Sequence, residues 1–296
     1  MVAILEVQNT EQLGWVSMKD LENSATVFCS ITHGLYSPWI DILHSGQTPT
    51  WLSNENLPGF SIHHYHGIPG NKLVIAFDKL HERIRWTNRW VATPLNIWDE
   101  VLGFPFRSFI PSQTVSSRVK LKHSVNQINL IDIYATMKWK DLAVFDDFIK
   151  TSSADFLFMT TTSSYVRPKK LLETVSHFPK MGIYAGAVAY PGANFAAGNN
   201  RLFSRDVIIQ ILEARRELSA GTIEDLALGR LCDKLGFRLI ELPKINIEGL
   251  EELDKLSDQQ LSENFHFRLK SGTINDRNDV MIMQELHRRV KVLDGI

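Results

Sequence analysis

Apolar residues recur along this chain in two rhythms, and the second half keeps them more cleanly than the first. Ala25 to Thr32 (ATVFCSIT) is a run of small, β-branched and aromatic residues, which reads as a buried strand. His33 to about Gly70 holds no sustained period. It is dense in turn formers (Pro38, Pro49, Pro58, Gly59, Pro69, Gly70) and reads as irregular. A second apolar run follows at Lys72 to Phe77. Arg83 to Trp98 is aromatic and basic, with Trp86 and Trp90 one helical turn apart, and 104–125 carries few helix signals.

From Asp132 the pattern sharpens. Asp132 to Ile149 predicts a helix with Trp139, Leu142, Phe145, Phe148 and Ile149 on one face. Asp155 to Met159 predicts a strand, and Thr161-Thr162-Ser163-Ser164-Tyr165-Val166 a hydroxyl-rich loop after it. Pro168 suits a first helical residue, with Leu171, Leu172 and Val175 as the apolar stripe. Gly182 to Tyr190 predicts a strand and Pro191 to Asn200 a glycine- and asparagine-rich loop. Ser204 is a good N-cap for a helix over 205–218. A helix over 224–235 is stopped by Gly236. Strands are expected at 237–242 and 265–270, and a last helix from Asn278 or Asp279 turns Val280, Met283, Leu286 and Val290 inward. Strands alternating with helices predict an α/β sandwich with a mainly parallel sheet, whose ligands sit beyond the carboxyl ends of the strands.

Composition narrows the function classes. The 296 residues are 44% hydrophobic and 22% charged, which suits a folded chain of one large α/β domain or two small ones. A formal net charge of -1 argues against broad attraction to nucleic acid or anionic membrane. Two cysteines, Cys29 and Cys232, form no disulfide or zinc pattern and fit a reducing compartment. No apolar run is long enough to span a bilayer and the first residues lack a signal-peptide pattern, so a cytoplasmic protein, at most peripheral to the inner membrane, is expected.

Several positions can carry chemistry. Glu224 and Asp225 open a helix, where two acids gain from the dipole. Plain capping explains them, and so does a general base at a cleft edge. In Phe265-His266-Phe267-Arg268-Leu269-Lys270 the alternation puts His266, Arg268 and Lys270 on one strand face. That is either a solvated face or a cationic row for a diphosphate. His63, His64 and His66 lack a third ligand at useful spacing, so no metal is expected there. Trp86, Trp90 and Trp98 are read as core before they are read as sugar-stacking rings.

Four segments in order resemble the fringe and β-1,3-galactosyltransferase family (glycosyltransferase family 31, GT-A fold). They are Asp132, Tyr134 and Lys140 on a helix, and the strand Phe156 to Met159 running into Thr161-Thr162-Ser163 with Tyr165-Val166 after it. Then come Ala197-Gly198-Asn199-Asn200 before Ser204-Arg205-Asp206, and Glu224-Asp225 on a helix that ends in Leu235-Gly236. The resemblance runs from Asp132 to Leu242, with a shorter match from His266 to the final helix.

The resemblance implies one GT-A-like domain over 1–296, with 1–130 the nucleotide-binding half and 131–296 the donor and acceptor half. It implies an inverting hexosyltransferase that moves a sugar from a nucleotide donor, UDP-sugar first, to a hydroxyl. Asp225 is then the base and Glu224 its fallback. The family's aspartate triplet, which carries a divalent metal, is replaced here by Thr161, Thr162 and Ser163, poor ligands for a hard cation. The expectation is therefore a metal-independent enzyme without a cofactor. Thr161 to Ser163 line the donor, His266, Arg268 and Lys270 hold phosphate (Lys169 a further cation), and Ser30 and Thr32 lie near the nucleotide. Gly198, Asn199 and Asn200 face the acceptor. A glycan, glycolipid or polysaccharide acceptor of a bacterial surface is expected, and nucleic acid is not. The alternatives are a metal held elsewhere, a sugar-binding protein without turnover, and an unrelated nucleotide enzyme, for which Thr32-His33-Gly34 supplies a single glycine.

Overall fold

The computed structural model describes residues 25–34, 39–53, 57–68, 115–116, 124–131, 136–218, 222–270 and 277–295. The run at 72–77, the aromatic stretch at 83–98, Asp132 and Tyr134 lie outside the described residues.

β1 (Val27–Thr32) is the expected buried strand. A helical turn, Trp39–Asp41, then passes into a π-helical stretch, Ile42–Gln47. β2 (Phe60–Ile68) and two further strands, β3 (Val115–Ser116) and β4 (Ser124–Ile131), complete the first half. α1 (Met137–Thr151) leads to β5 (Phe156–Thr161), a Thr162–Ser163 turn, β6 (Ser164–Val166) and α2 (Pro168–Val175). β7 (Tyr184–Val188), β8 (Ala196–Ser204), α3 (Arg205–Glu213), α4 (Glu224–Lys234) and β9 (Leu239–Glu241) follow. The chain continues through β10 (Ile245–Asn246), α5 (Leu250–Asp254), α6 (Asp258–Glu263), β11 (His266–Arg268) and α7 (Asp279–Asp294).

Eight strands form one sheet in the order β3-β4-β2-β1-β5-β8-β7-β9. The pairings β4–β2, β2–β1, β1–β5 and β7–β9 are parallel, whereas β8 runs against both neighbours and β3 against β4. Because β1 bonds to both β2 and β5, the sheet is continuous across the two halves of the sequence. A small sheet, β10-β11-β6, lies apart from it, and the Thr162–Ser163 turn is where the chain crosses from one sheet to the other.

Alternate residues of β1 and β5 fill two cores. Phe28, Leu157 and Met159 meet α1, α3 and α4 through Trp139, Phe145, Ile208 and Leu228. Cys29, Ile31 and Phe158 meet the small sheet and α7 through Tyr165, Phe267 and Leu286. A strand covered on both faces reads as an unbroken apolar run, which is why β1 and β5 were plain in the sequence.

Four elements differ from expectation. The irregular stretch at 33–70 contains β2, a nine-residue strand. Its histidines hide it, and each has a ring neighbour: His63 stacks on Phe28 at 3.7 Å, while His64 and His66 turn to the opposite side, beside His33. β4 continues past the stretch that gave few signals. Tyr165 and Val166 belong to β6, not to a loop. The expected loop at 191–200 ends at Phe195, so Gly198, Asn199 and Asn200 are residues of β8. Ser204 does stand at the N-cap of α3, but its hydroxyl makes no cap bond. It accepts from the Ile183 amide at 2.8 Å and donates to Asp206 at 2.6 Å.

Candidate active site

At the carboxyl edge of the parallel strands, Thr32 of β1 lies between Tyr65 of β2 and Thr161 of β5. β8 runs the other way, so its first residues arrive at the same edge, with Arg201 opposite Met159. Two groups of charged side chains meet this rim from opposite faces.

The first group is acidic and lies on the α1 and α4 side. α4 begins at Glu224 and ends with Gly236 at a φ of 87°, a left-handed closure that favours glycine. Asp225 Oδ1 accepts from the Leu226 amide at 2.8 Å, and the Gly198 amide donates to the same carboxylate. A Cβ on Gly198 would lie 3.1 Å from Glu224 Oε1, so the bare backbone of β8 sits directly on the acid pair. Both acids keep part of their surface open to solvent. Burial, with the neighbouring Asp225 and Asp141 carboxylates, raises Glu224 to about 7, against a smaller opposing pull from Arg201. Burial raises Asp225 too, while Arg201 and its backbone donors pull the other way.

Beneath them Arg201 Nη1 bonds to Asp141 Oδ2 of α1 at 2.8 Å, with side-chain exposures of 3% and 1%. Arg201 Nε and Asp141 Oδ1 have no hydrogen-bond partner among the described residues. Lys140, one of the residues in the family resemblance, is buried beside Asp141.

The second group is cationic and gathers on the Thr162–Ser163 turn. Arg268 Nη1 donates to Thr161 Oγ1 at 2.6 Å, and Arg277 Nη2 donates to Ser163 Oγ at 2.8 Å. Arg277 also pairs with Asp279 at 2.5 Å and lies 4.8 Å from the Trp39 ring centroid. The turn is fixed from behind. Gln47 Nε2 donates to the carbonyls of Thr161 and Ser164 at 3.1 and 3.0 Å, and Trp51 Nε1 reaches Ser164 at 3.1 Å. π-helical turns such as the one carrying Gln47 are frequent at functional sites.

One strand joins the two groups. Thr160 Oγ1 donates to the Asn199 carbonyl at 3.0 Å, and Gly198, next in the chain, touches the acids. Buried polar atoms without a partner among the described residues collect here: Ser30 Oγ, Asn199 Nδ2, Asn200 Oδ1 and His266 Nδ1. Buried polar groups are normally satisfied, so such a concentration marks a place built for something besides packing.

The sequence-predicted residues thus come together in part. Thr161, Thr162 and Ser163 form or flank the turn, and Ser30, Thr32 and Arg268 reach the same edge. Asn199 and Asn200 are buried, Asn200 giving its amide to the Pro243 carbonyl at 3.4 Å. His266 is not a cation as the alternating row implied. It is fully buried, and burial, then Arg268 and Lys244, push its pKa to about 3, leaving a neutral imidazole beside Thr160 and Asn199. Lys270 lies past the end of β11 and, like Lys169, is exposed. Arg201, Asp141, Lys244, Arg277 and Gln47 went unread. A charge on a helix's apolar face (Asp141) was the available signal, whereas the turn residues around Arg201 hid its strand.

Neither a protein-family model nor a curated protein matches the sequence. Among solved structures the chain is similar to the crystal structure of the glycosyltransferase GlyE of Streptococcus pneumoniae TIGR4, at 10% identity and a TM-score of 0.41. The match covers 92% of this chain and 63% of that one, so the chain spans under two thirds of that protein's length. A likeness of this size assigns no activity. Among the described residues no helix is long and apolar enough to cross a membrane, and no cluster of three His, Cys, Asp or Glu residues is placed to hold a metal.

Proposed function

We propose that this chain is an inverting glycosyltransferase with a GT-A-like domain, which moves a hexosyl group from a nucleotide-sugar, UDP-sugar first, to an acceptor hydroxyl. The observation that carries the reading is the joint hold of Gly198 and Asn199. One seats on the acid pair at the mouth of α4 and the other on Thr160 at the end of β5. In this reading the base and the donor platform are bridged by two consecutive residues of β8, at the sheet edge where α/β proteins bind ligands.

In this mechanism the Asp225 carboxylate takes the acceptor hydroxyl's proton as that oxygen attacks the anomeric carbon. The bond from that carbon to the diphosphate oxygen breaks on the opposite face, the configuration inverts, and the electron pair leaves with the nucleoside diphosphate. Glu224 adjoins Asp225 and tunes its ionisation. Gly198, Asn199 and Asn200 shape the acceptor side, and Ser30 and Thr32 the nucleotide side.

A divalent cation does not fit at the Thr162–Ser163 turn. Its hydroxyls are neutral, and those of Thr161 and Ser163 already accept from two guanidiniums that would repel the ion. The reading is accordingly metal-independent, with protein cations meeting the charge of the departing group. A bacterial surface glycan or glycolipid is the acceptor class proposed.

The test is release of sugar from UDP-sugar donors, and transfer to acceptors, in excess chelator by wild type and by Asp225→Asn. Turnover that the substitution abolishes supports the reading. Nucleotide binding without turnover across many donors and acceptors would replace it with a sugar-binding role on the same fold.

A further inference from the structure

Around the Thr162–Ser163 turn the charges of the described residues do not balance locally. Arg268 and Arg277 both reach the turn's hydroxyls, and the carboxylate acting on Arg268 is Asp279, which Arg277 already holds at 2.5 Å. Lys244 comes to the same place from a third direction. Pro243 before it accepts from Asn200, and Ile245 after it pairs with Phe267 of β11. Burial, and then its neighbour Arg268, disfavours the Lys244 charge, and Arg268 itself is depressed to about 10 by burial and by Arg277. Three cations gathered in a partly buried place are unfavourable unless an anion joins them. The unpartnered atoms His266 Nδ1 and Asn199 Nδ2 lie alongside in buried side chains.

We propose that Arg268, Arg277 and Lys244 form a protein-built anion site on the Thr162–Ser163 turn, which takes the pyrophosphate of a nucleoside diphosphate without a metal ion. Arg277 and Lys244 are the new members. The planar forks of the two arginines suit pairs of phosphate oxygens, and Lys244 adds a point charge. The Gln47 and Trp51 bonds keep the turn in place while Thr161 and Ser163 exchange arginine for phosphate. The choice of a nucleotide as the pyrophosphate's source rests on the transferase reading; the anion site itself does not.

The experiment is calorimetric titration of the full chain with inorganic pyrophosphate, UDP and farnesyl diphosphate in excess chelator, with melting temperature followed in parallel. Binding of pyrophosphate and UDP with a rise in melting temperature, UDP tighter than farnesyl diphosphate, supports the proposal. Lys244→Ala and Arg277→Lys should each weaken UDP about tenfold or more, as loss of a charged hydrogen bond does. Arg277→Lys keeps a cation beside Asp279 and so guards against simple misfolding. Binding that requires added manganese or magnesium overturns the proposal and leaves the transferase reading standing. Tighter farnesyl diphosphate, or unchanged UDP affinity in both variants, overturns it as well. Chelator-resistant pyrophosphate binding in a protein that turns over no donor keeps the anion site and sinks the transferase reading instead.

Discussion

Arg201 and Asp141 meet at 2.8 Å with both side chains almost closed to solvent, on the α1 and α4 side of the sheet and within the electrostatic reach of Glu224 and Asp225. Their charges are complementary but incompletely satisfied, since Arg201 Nε and Asp141 Oδ1 find no partner among the described residues. Three carboxylates thus share the field of one guanidinium.

Removing that guanidinium should be costly. Arg201→Met leaves Asp141 buried and unpaired, which lowers stability by roughly 3–5 kcal/mol. Urea unfolding measures it. Pairing it with Asp141→Leu should recover most of the loss, because the stranded charge is then gone too. No recovery would mean the pair is not an isolated unit.

The acids should separate in kinetics. Asp225→Asn should reduce turnover by about 10²–10⁴-fold with the fold intact, the range for losing a general base. Glu224→Gln should retain measurable activity and remove any inflection near pH 7 from kcat/KM, because no second carboxylate then ionises beside Asp225 as pH rises. Equal loss in both variants would point to a shared structural role.

Stability should carry the same signature. Glu224 titrates ordinarily at 4.5 and here near 7, so the folded chain holds a proton that the unfolded chain releases. Its contribution is complete below the unfolded value and is lost as pH rises through 7. Asp225 and Asp141 are raised too and act in the same direction. Urea midpoints for wild type should therefore fall between pH 5 and pH 8 by more than those of Glu224→Gln. Parallel curves would remove Glu224 from the account.

Gly198→Ala should impair function more than folding. Its methyl would press on Glu224 Oε1 from 3.1 Å and displace the acids by a few tenths of an ångström. Small misplacements of catalytic groups are expensive, up to about 10²-fold. Gly186→Ala is the contrasting case. Its methyl would collide with the Asn200 carbonyl, a backbone atom that cannot swing aside, so poor folding is expected. Circular dichroism and turnover on the two variants distinguish the effects.

What the sequence disclosed follows from how local each signal is. α2 is announced by Pro168 and its stripe, α4 by its acids and Gly236, and β5 by an apolar run that needs two covered faces. β8 was hidden because AAGNNRLFS is rich in turn residues. Neighbours on both sides impose the strand, which is why strand propensity is a weak guide. The site divides likewise. Asp225 and Thr161 could be found by their immediate surroundings. Arg277 lies 114 residues from Ser163 and Asp141 lies 60 from Arg201, so only the folded chain brings them together.

The reversed direction of β8 gives that strand a division of labour along its length. Leu202 and Phe203 anchor it in opposite cores, while earlier in the strand Gly198 meets the acids and Asn199 meets β5. The hydrophobic root thus sets where the rim residues stand, so a substitution at Leu202 or Phe203 should be felt at the acids and at Thr160 without touching either.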